Sequence, residues 1–189
     1  MSGALALLVT TQLPTSAAQQ VLTPPQLEAP LENTQGDMTG DRLGVLIKRI
    51  DPNAVVRENG YVFMVNDRAL NVVYDETADR MRILTAIVAT EGIPPELLMR
   101  TLQANFDAVL DARYAVGNGQ LWSVFVHPLS TLTDRDFLSG IAQTSVAAQT
   151  FGTTFTSGVF VFGGGDTANL HEDLLRQLEG ASRGDDRGI

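Results

Sequence analysis

The chain has 189 residues, 44% of them hydrophobic and 19% charged, a balance that suits a folded domain of ordinary size and excludes a wholly disordered chain. With no cysteine and only two histidines, His127 and His171, it has no means of forming disulfides, thiolate metal sites, cysteine nucleophiles or a multi-histidine metal centre. A net charge of −9 argues against nucleic acid as a partner, and no apolar run reaches the roughly 18 residues that a membrane helix needs.

The charge is unevenly placed. Residues 28–41 hold four acids and no base, and residues 166–189 hold six acids and three bases, which leaves −2 for the middle, 42–165. The acidity therefore belongs mostly to the flanks and does not mark a binding face.

The first 27 residues carry no charged side chain. Ala4–Val9 is a short apolar run, and Ser16-Ala17-Ala18 has the small-x-small form of a signal-peptidase site, although a basic stretch before the apolar run is missing. Two readings of residues 1–18 stay open. One is a signal peptide cleaved after Ala18, giving a periplasmic or exported protein; the other is a leader on a cytoplasmic one. Residues 19–40, with Pro24-Pro25, Pro30 and Asn33-Thr34-Gln35-Gly36, read as a disordered linker.

Patterned sequence begins at Asp41. Asp41 is placed to cap a helix over 42–50, with Leu43, Leu46, Ile47 and Ile50 at helical spacing, and Asp51-Pro52 ends it. A short extended piece at Ala54–Arg57 is joined through Asn59-Gly60 to the strand Tyr61–Val65. Asn66-Asp67 turns the chain into Leu70–Tyr74, and the acidic loop Asp75–Asp79 leads into Met81–Val88. Pro94-Pro95 opens a helix on which Leu98, Leu102, Phe106 and Leu110 fall on one stripe. Strands Ala112–Val116 and Leu121–Val126 follow, joined by Gly117-Asn118-Gly119. Thr133, with Asp134 and Asp136 in the next turn, starts a last core helix that carries Phe137, Ile141, Ala148 and Phe151 on one side. The domain thus spans 41–162. Residues 163–189 read as the glycine joint Gly163-Gly164-Gly165, a C-terminal helix over 166–180 and a tail. The order αβββαββα predicts an α+β fold, with an antiparallel sheet of about five strands and helices packed on one face.

Within that order, Leu102-Gln103-Ala104-Asn105-Phe106, the Ala112–Val126 hairpin and the run from His127 to Phe137 resemble the type III secretion chaperone fold, in the Tir chaperone (CesT) and YbjN-like families. The matching positions are Asn105 on a helix before a strand pair, Pro128, Leu129 and Leu132 in the turn, and the aromatic Phe137 near the start of the last helix. The resemblance covers roughly two-thirds of the chain. It implies a homodimer-forming, protein-binding module without catalysis, and it does not identify the client.

The chemistry-bearing residues read individually as structural. His127 ends a strand before Pro128 with no motif to supply a catalytic partner, and His171 sits beside Glu172 and Asp173 at a helix start, where acids suit the dipole. Gly163-Gly164-Gly165-Asp166-Thr167 lacks the lysine and spacing of a phosphate loop, and Arg183-Gly184-Asp185 is a chance-level tripeptide. Asp75, Glu76 and Asp79 fall short of a calcium-loop pattern, and Asp107 and Asp111, four apart on one helix, pair readily with Arg100 and Arg113. No serine occupies a nucleophile elbow. No cofactor or metal is implied.

The strand 121–126 is apolar on both faces: Trp122, Val124 and Val126 on one, Leu121, Ser123 and Phe125 on the other. Such a strand is normally covered twice. If helices cover one face, a second copy, a client or the segment Thr154–Phe162 must cover the other. Trp122, Val124, Val126, Phe137 and Ile141 are accordingly the candidate partner-binding residues. The competing expectations are a small-molecule-binding or enzymatic α+β domain, and a structural subunit of an envelope assembly.

Overall fold

A computed structural model describes residues 37–107, 109–152 and 168–183. They form the helix α1 (Gly40–Ile50), the strands β1 (Val55–Arg57), β2 (Gly60–Val65), β3 (Arg68–Asp75) and β4 (Arg80–Ala89), the helix α2 (Pro95–Asp107), the strands β5 (Arg113–Gly117) and β6 (Gln120–His127), and the helices α3 (Asp134–Gln149) and α4 (Ala168–Arg183). The class is α+β. One six-stranded sheet, ordered β1-β2-β3-β4-β6-β5 and antiparallel throughout, carries helices on one face. Two differences from the expected order arise locally. The extended piece before β2 pairs as a sixth strand, and its turn is Glu58-Asn59, one residue earlier than expected, because Gly60 already pairs with Arg57 and Val73. A Cβ at Gly60 would lie 2.0 Å from the Val72 carbonyl oxygen, so only glycine permits that pairing.

Turn chemistry sets the hairpins. Asn66 and Asp67 (φ 46° and 60°), and Asn118 and Gly119 (φ 52° and 70°), occupy the left-handed region that two-residue hairpins require. Helix starts are set equally locally. Thr39 rather than Asp41 caps α1, its side-chain oxygen accepting from the Arg42 amide at 3.2 Å, while Asp41 lies in the first turn. Thr133 and Asp136 form a reciprocal capping box at α3.

The main core lies between the sheet and α1, α3 and α4. Phe63, Leu70, Val72, Met81 and Ile83 from the sheet meet Leu43 and Ile47 of α1, Phe137 and Ile141 of α3, and Leu174 and Leu178 of α4. Gly140 permits the close approach of α3, since a Cβ there would stand 2.8 Å from the Phe125 ring. Helical geometry then turns Phe137 and Thr144 toward the sheet and Leu138, Ala142 and Val146 the other way, where α4 packs. A smaller cluster of Ala104, Ala112, Tyr114, Leu121 and Ala147 closes the β5 end, with Ile87 brought to it at a register shift in β4. Arg42 of α1 clamps Asp134 at the start of α3 through two bonds of 2.8 and 2.9 Å, and this pairing raises the Arg42 pKa.

Candidate interaction surfaces

The face of the sheet turned away from the helices carries no element among the described residues. Its side chains follow from the register, because directly opposed residues of antiparallel strands share a face. One transverse row runs Val55, Val62, Asn71, Leu84, Val124 and Arg113. A second runs Arg57, Gly60, Val73, Arg82 and Val126, and a third contains Ala86, Trp122 and Ala115. Val73 and Val126 are about half exposed, at 47% and 52%. Trp122 is half-buried, its indole N–H donating to the Gly117 carbonyl at 2.9 Å, so the ring is held in a fixed orientation.

The structure divides the five candidate partner-binding residues. Trp122, Val124 and Val126 lie on this open face. Phe137 and Ile141 are fully buried in the core, at 0% exposure each. The last core helix offers little surface, because eleven of its residues are buried between the sheet and α4. The segment Thr154–Phe162, the alternative cover for the sheet, lies outside the described residues.

A second apolar surface was not anticipated. The α2 stripe faces outward at Leu102 and Phe106, which are 62% and 75% exposed, and Met99 extends it. The buried positions of α2 are instead Thr101 and Ala104. Their small side chains let the helix lie close to β5, while the large residues occupy the other side; periodicity identifies stripes but not the one that is covered. Val116, on the edge strand β5, is also exposed.

Asn105 joins α2 to that edge. Its carboxamide donates to the Tyr114 carbonyl at 3.0 Å and accepts from the Tyr114 amide at 2.7 Å, imitating a neighbouring strand. Gln143 of α3 completes the corner by accepting from the amides of Asp111 and Ala112. Tyr114 donates its hydroxyl to the Ala147 carbonyl at 2.7 Å, and burial pushes its pKa up to about 12. Neither Gln143 nor the inward orientation of Tyr114 was legible in the sequence.

The remaining polar candidates have structural partners. Asp75 closes its own turn by accepting from Ala78, and Glu76 accepts from the Gly40 amide at 2.9 Å. Asp79 accepts from both the amide and the hydroxyl of Ser130, bonds that hold its carboxyl below the usual range. The three acids of this loop thus point to three different partners. α2 ends at Asp107, so Asp111 does not share its helix as expected; it lies in the bend before β5. The His127 ring stacks on Phe125 with centroids 6.0 Å apart and contacts the Pro128 carbonyl through Nδ1. His171 lies within α4, 3.4 Å from the Ser139 hydroxyl, and burial lowers its pKa. Among the described residues, no group of three or more acidic or histidine side chains gathers as a metal site would need. The 163–167 joint and residues 184–185 lie outside the described residues, as do the proposed signal peptide and linker up to residue 36.

Comparison with known proteins adds a distant structural match. The fold overlays on a chain of the solved HopA1-SchA chaperone-effector complex with a TM-score of 0.46 and 13% identity, covering 59% of this chain and 93% of that one. No family model matches the sequence. No curated protein matches it either. No helix among the described residues is long and apolar enough to cross a membrane.

Proposed function

We propose that the chain is a non-catalytic protein-binding module, which takes a polypeptide partner on the open face of its sheet and pairs with a second copy through α2 and the β5 edge. The observation that carries the reading is the open face itself, where half-exposed Val55, Val73 and Val126 occupy two rows beside the fixed Trp122 of the third. Scattered single apolar residues need no explanation, but contiguous exposed apolar surface marks an interaction site.

The second-copy interface is supported by area. Phe106, Leu102, Met99 and Val116 together leave about 450 Å² of apolar surface in water, judged from side-chain sizes of this class. A standard interface takes roughly 800 Å² per partner, a little over half of it apolar. The α2 surface therefore supplies about the apolar share of one such interface, and the sheet face stays free for the client.

Two variants separate the roles. Trp122→Glu places a charge on the open face and Phe106→Glu places one on α2. Phe106→Glu is expected to shift sedimentation from dimer to monomer while retaining the client, and Trp122→Glu to lose the client in affinity capture read by mass spectrometry. Leu170→Glu, on the exposed side of α4, is the control that changes neither. Circular dichroism reports the fold of each. A wild-type chain that stays monomeric at high concentration and captures nothing that Trp122→Glu loses would remove the reading. Export is the companion proposal: protein from a fractionated native host should begin at Gln19, and an intact Met1 in the cytosolic fraction would exclude it.

A further inference from the structure

The open face has a charge character opposite to that of the whole chain. The chain carries 22 acids against 13 bases. Yet the three transverse rows of the open face contain Arg57, Arg82 and Arg113 and no aspartate or glutamate. Arg82 stands at the middle of the sheet, directly between Val73 and Val126, and all three arginines are exposed. Arg57 and Arg82 form no ion pair among the described residues, and Arg113 bonds only to the backbone carbonyls of Leu110 and Ala112. The next row of the same face pairs Asp75 with Arg80, so the strand acid it holds stands opposite a fourth arginine and closes its own turn by accepting from the Ala78 amide. Glu58 and Asp67 lie in the turns, and Asp51 accepts from the Met64 amide beside β2.

We infer that the polypeptide segment this face accepts is acidic as well as apolar, with aliphatic side chains on the valine rows and carboxylates paired to Arg57, Arg82 and Arg113. The inference rests on the sheet face being the client surface, and it adds the chemistry of the client. A guanidinium presents a planar fork of donors that matches a carboxylate, so each arginine binds an acidic side chain directionally. The distances decide which charges dominate. At physiological ionic strength, interactions between exposed charges fade over about 8 Å. The described acids of α4, Glu172, Asp173 and Glu179, sit on a helix that packs against α3 and α1 behind the sheet, a layer of roughly 8–10 Å, and so do little to repel a carboxylate seated beside Arg82, whereas the arginines in the rows act at contact range. A basic segment, by contrast, would be drawn to the acidic flanks and would meet like charge on the sheet.

The chain contains its own reporter, since Trp122 is its single tryptophan and lies within the rows. The experiment titrates the full chain with three synthetic peptides of one aliphatic pattern, their polar positions all Glu, all Gln or all Lys. Trp122 emission is followed at about 0.15 M salt, where the screening argument applies. The Glu peptide is expected to shift the emission and to bind at least about tenfold tighter than the Lys peptide, with Gln between them. Arg57→Glu with Arg82→Glu should reverse that order, and Arg57→Gln with Arg82→Gln should flatten it if the reversed charges disturb the fold by circular dichroism. Equal binding of all three peptides would overturn the acidic preference and leave the sheet-face function standing. Emission unmoved by every peptide would overturn the sheet-face reading with it. A shift produced by phosphatidylserine vesicles but not by the Glu peptide would assign the arginines to a lipid surface and overturn the proposal.

Discussion

Removing the carboxamide of Asn105 should destabilise the β5 corner by an amount the geometry sets. The side chain satisfies both backbone groups of Tyr114 that point away from β6, at 3.0 and 2.7 Å. Each such bond has a net worth of about 0.5–1.5 kcal/mol, and more where the abandoned group is shut away from water. The site is part-buried, so water recovers some of the loss, and the two bonds together come to about 2 kcal/mol. Alanine is the better helix former, which returns roughly 0.5 kcal/mol. The net expectation for Asn105→Ala is a loss of about 1.5 kcal/mol. Asn105→Asp should cost at least as much, because it keeps the acceptor for the Tyr114 amide but sets a carboxylate against the Tyr114 carbonyl. Gln103→Ala, an exposed α2 position outside the apolar stripe, is the control and should stay within about 0.5 kcal/mol. Urea unfolding at constant m-value reads all three, at two protein concentrations so that self-association does not enter the comparison. An Asn105→Ala chain with an unchanged midpoint, or an Asn105→Asp chain as stable as the wild type, would refute the edge-clamp argument.

Three further outcomes follow from the core and from α4. Phe137→Ala empties a fully buried site beneath the sheet and should cost about 3–5 kcal/mol in the same assay, whereas a surface role for Phe137 would cost little. Thr144→Val replaces a buried hydroxyl that has no hydrogen-bond partner among the described residues, and should raise stability by about 1 kcal/mol; a loss of that size would mean that the hydroxyl is satisfied. Burial lowers the pKa of His171 beneath 6.5, against weaker opposing effects of the Ser139 bond and of Glu172 and Asp111. Below its ordinary pKa the unfolded chain therefore takes up the proton first. Stability is complete above that value and declines as pH falls through the folded one. His171→Gln should remove this part of the acid sensitivity of the unfolding midpoint, and identical pH slopes in the two proteins would count against it.

Much of the local structure was legible because its causes are local. Asn66-Asp67 and Asn118-Gly119 tolerate the left-handed backbone of tight hairpins, and Thr133 with Asp136 can satisfy the amides of its own helix start within four residues. Alternation along 61–65 and 121–126 marked strands with two distinct faces, which led to the antiparallel sheet and to Trp122, Val124 and Val126 as one side of it. What periodicity does not contain is which of two apolar sides is covered. That choice was made by contacts distant in sequence. Small Thr101 and Ala104 let α2 settle on β5 and turned Leu102 and Phe106 outward; Gly140 admitted the Phe125 ring, so that Phe137 and Ile141 went inside; and α4 closed the back of α3. The arginine-lined face has the same origin. Arg57, Arg82 and Arg113 are separated along the chain among acids, and only the register of five strand pairings gathers them onto one surface, on which the strand carboxylate Asp75 stands opposite Arg80.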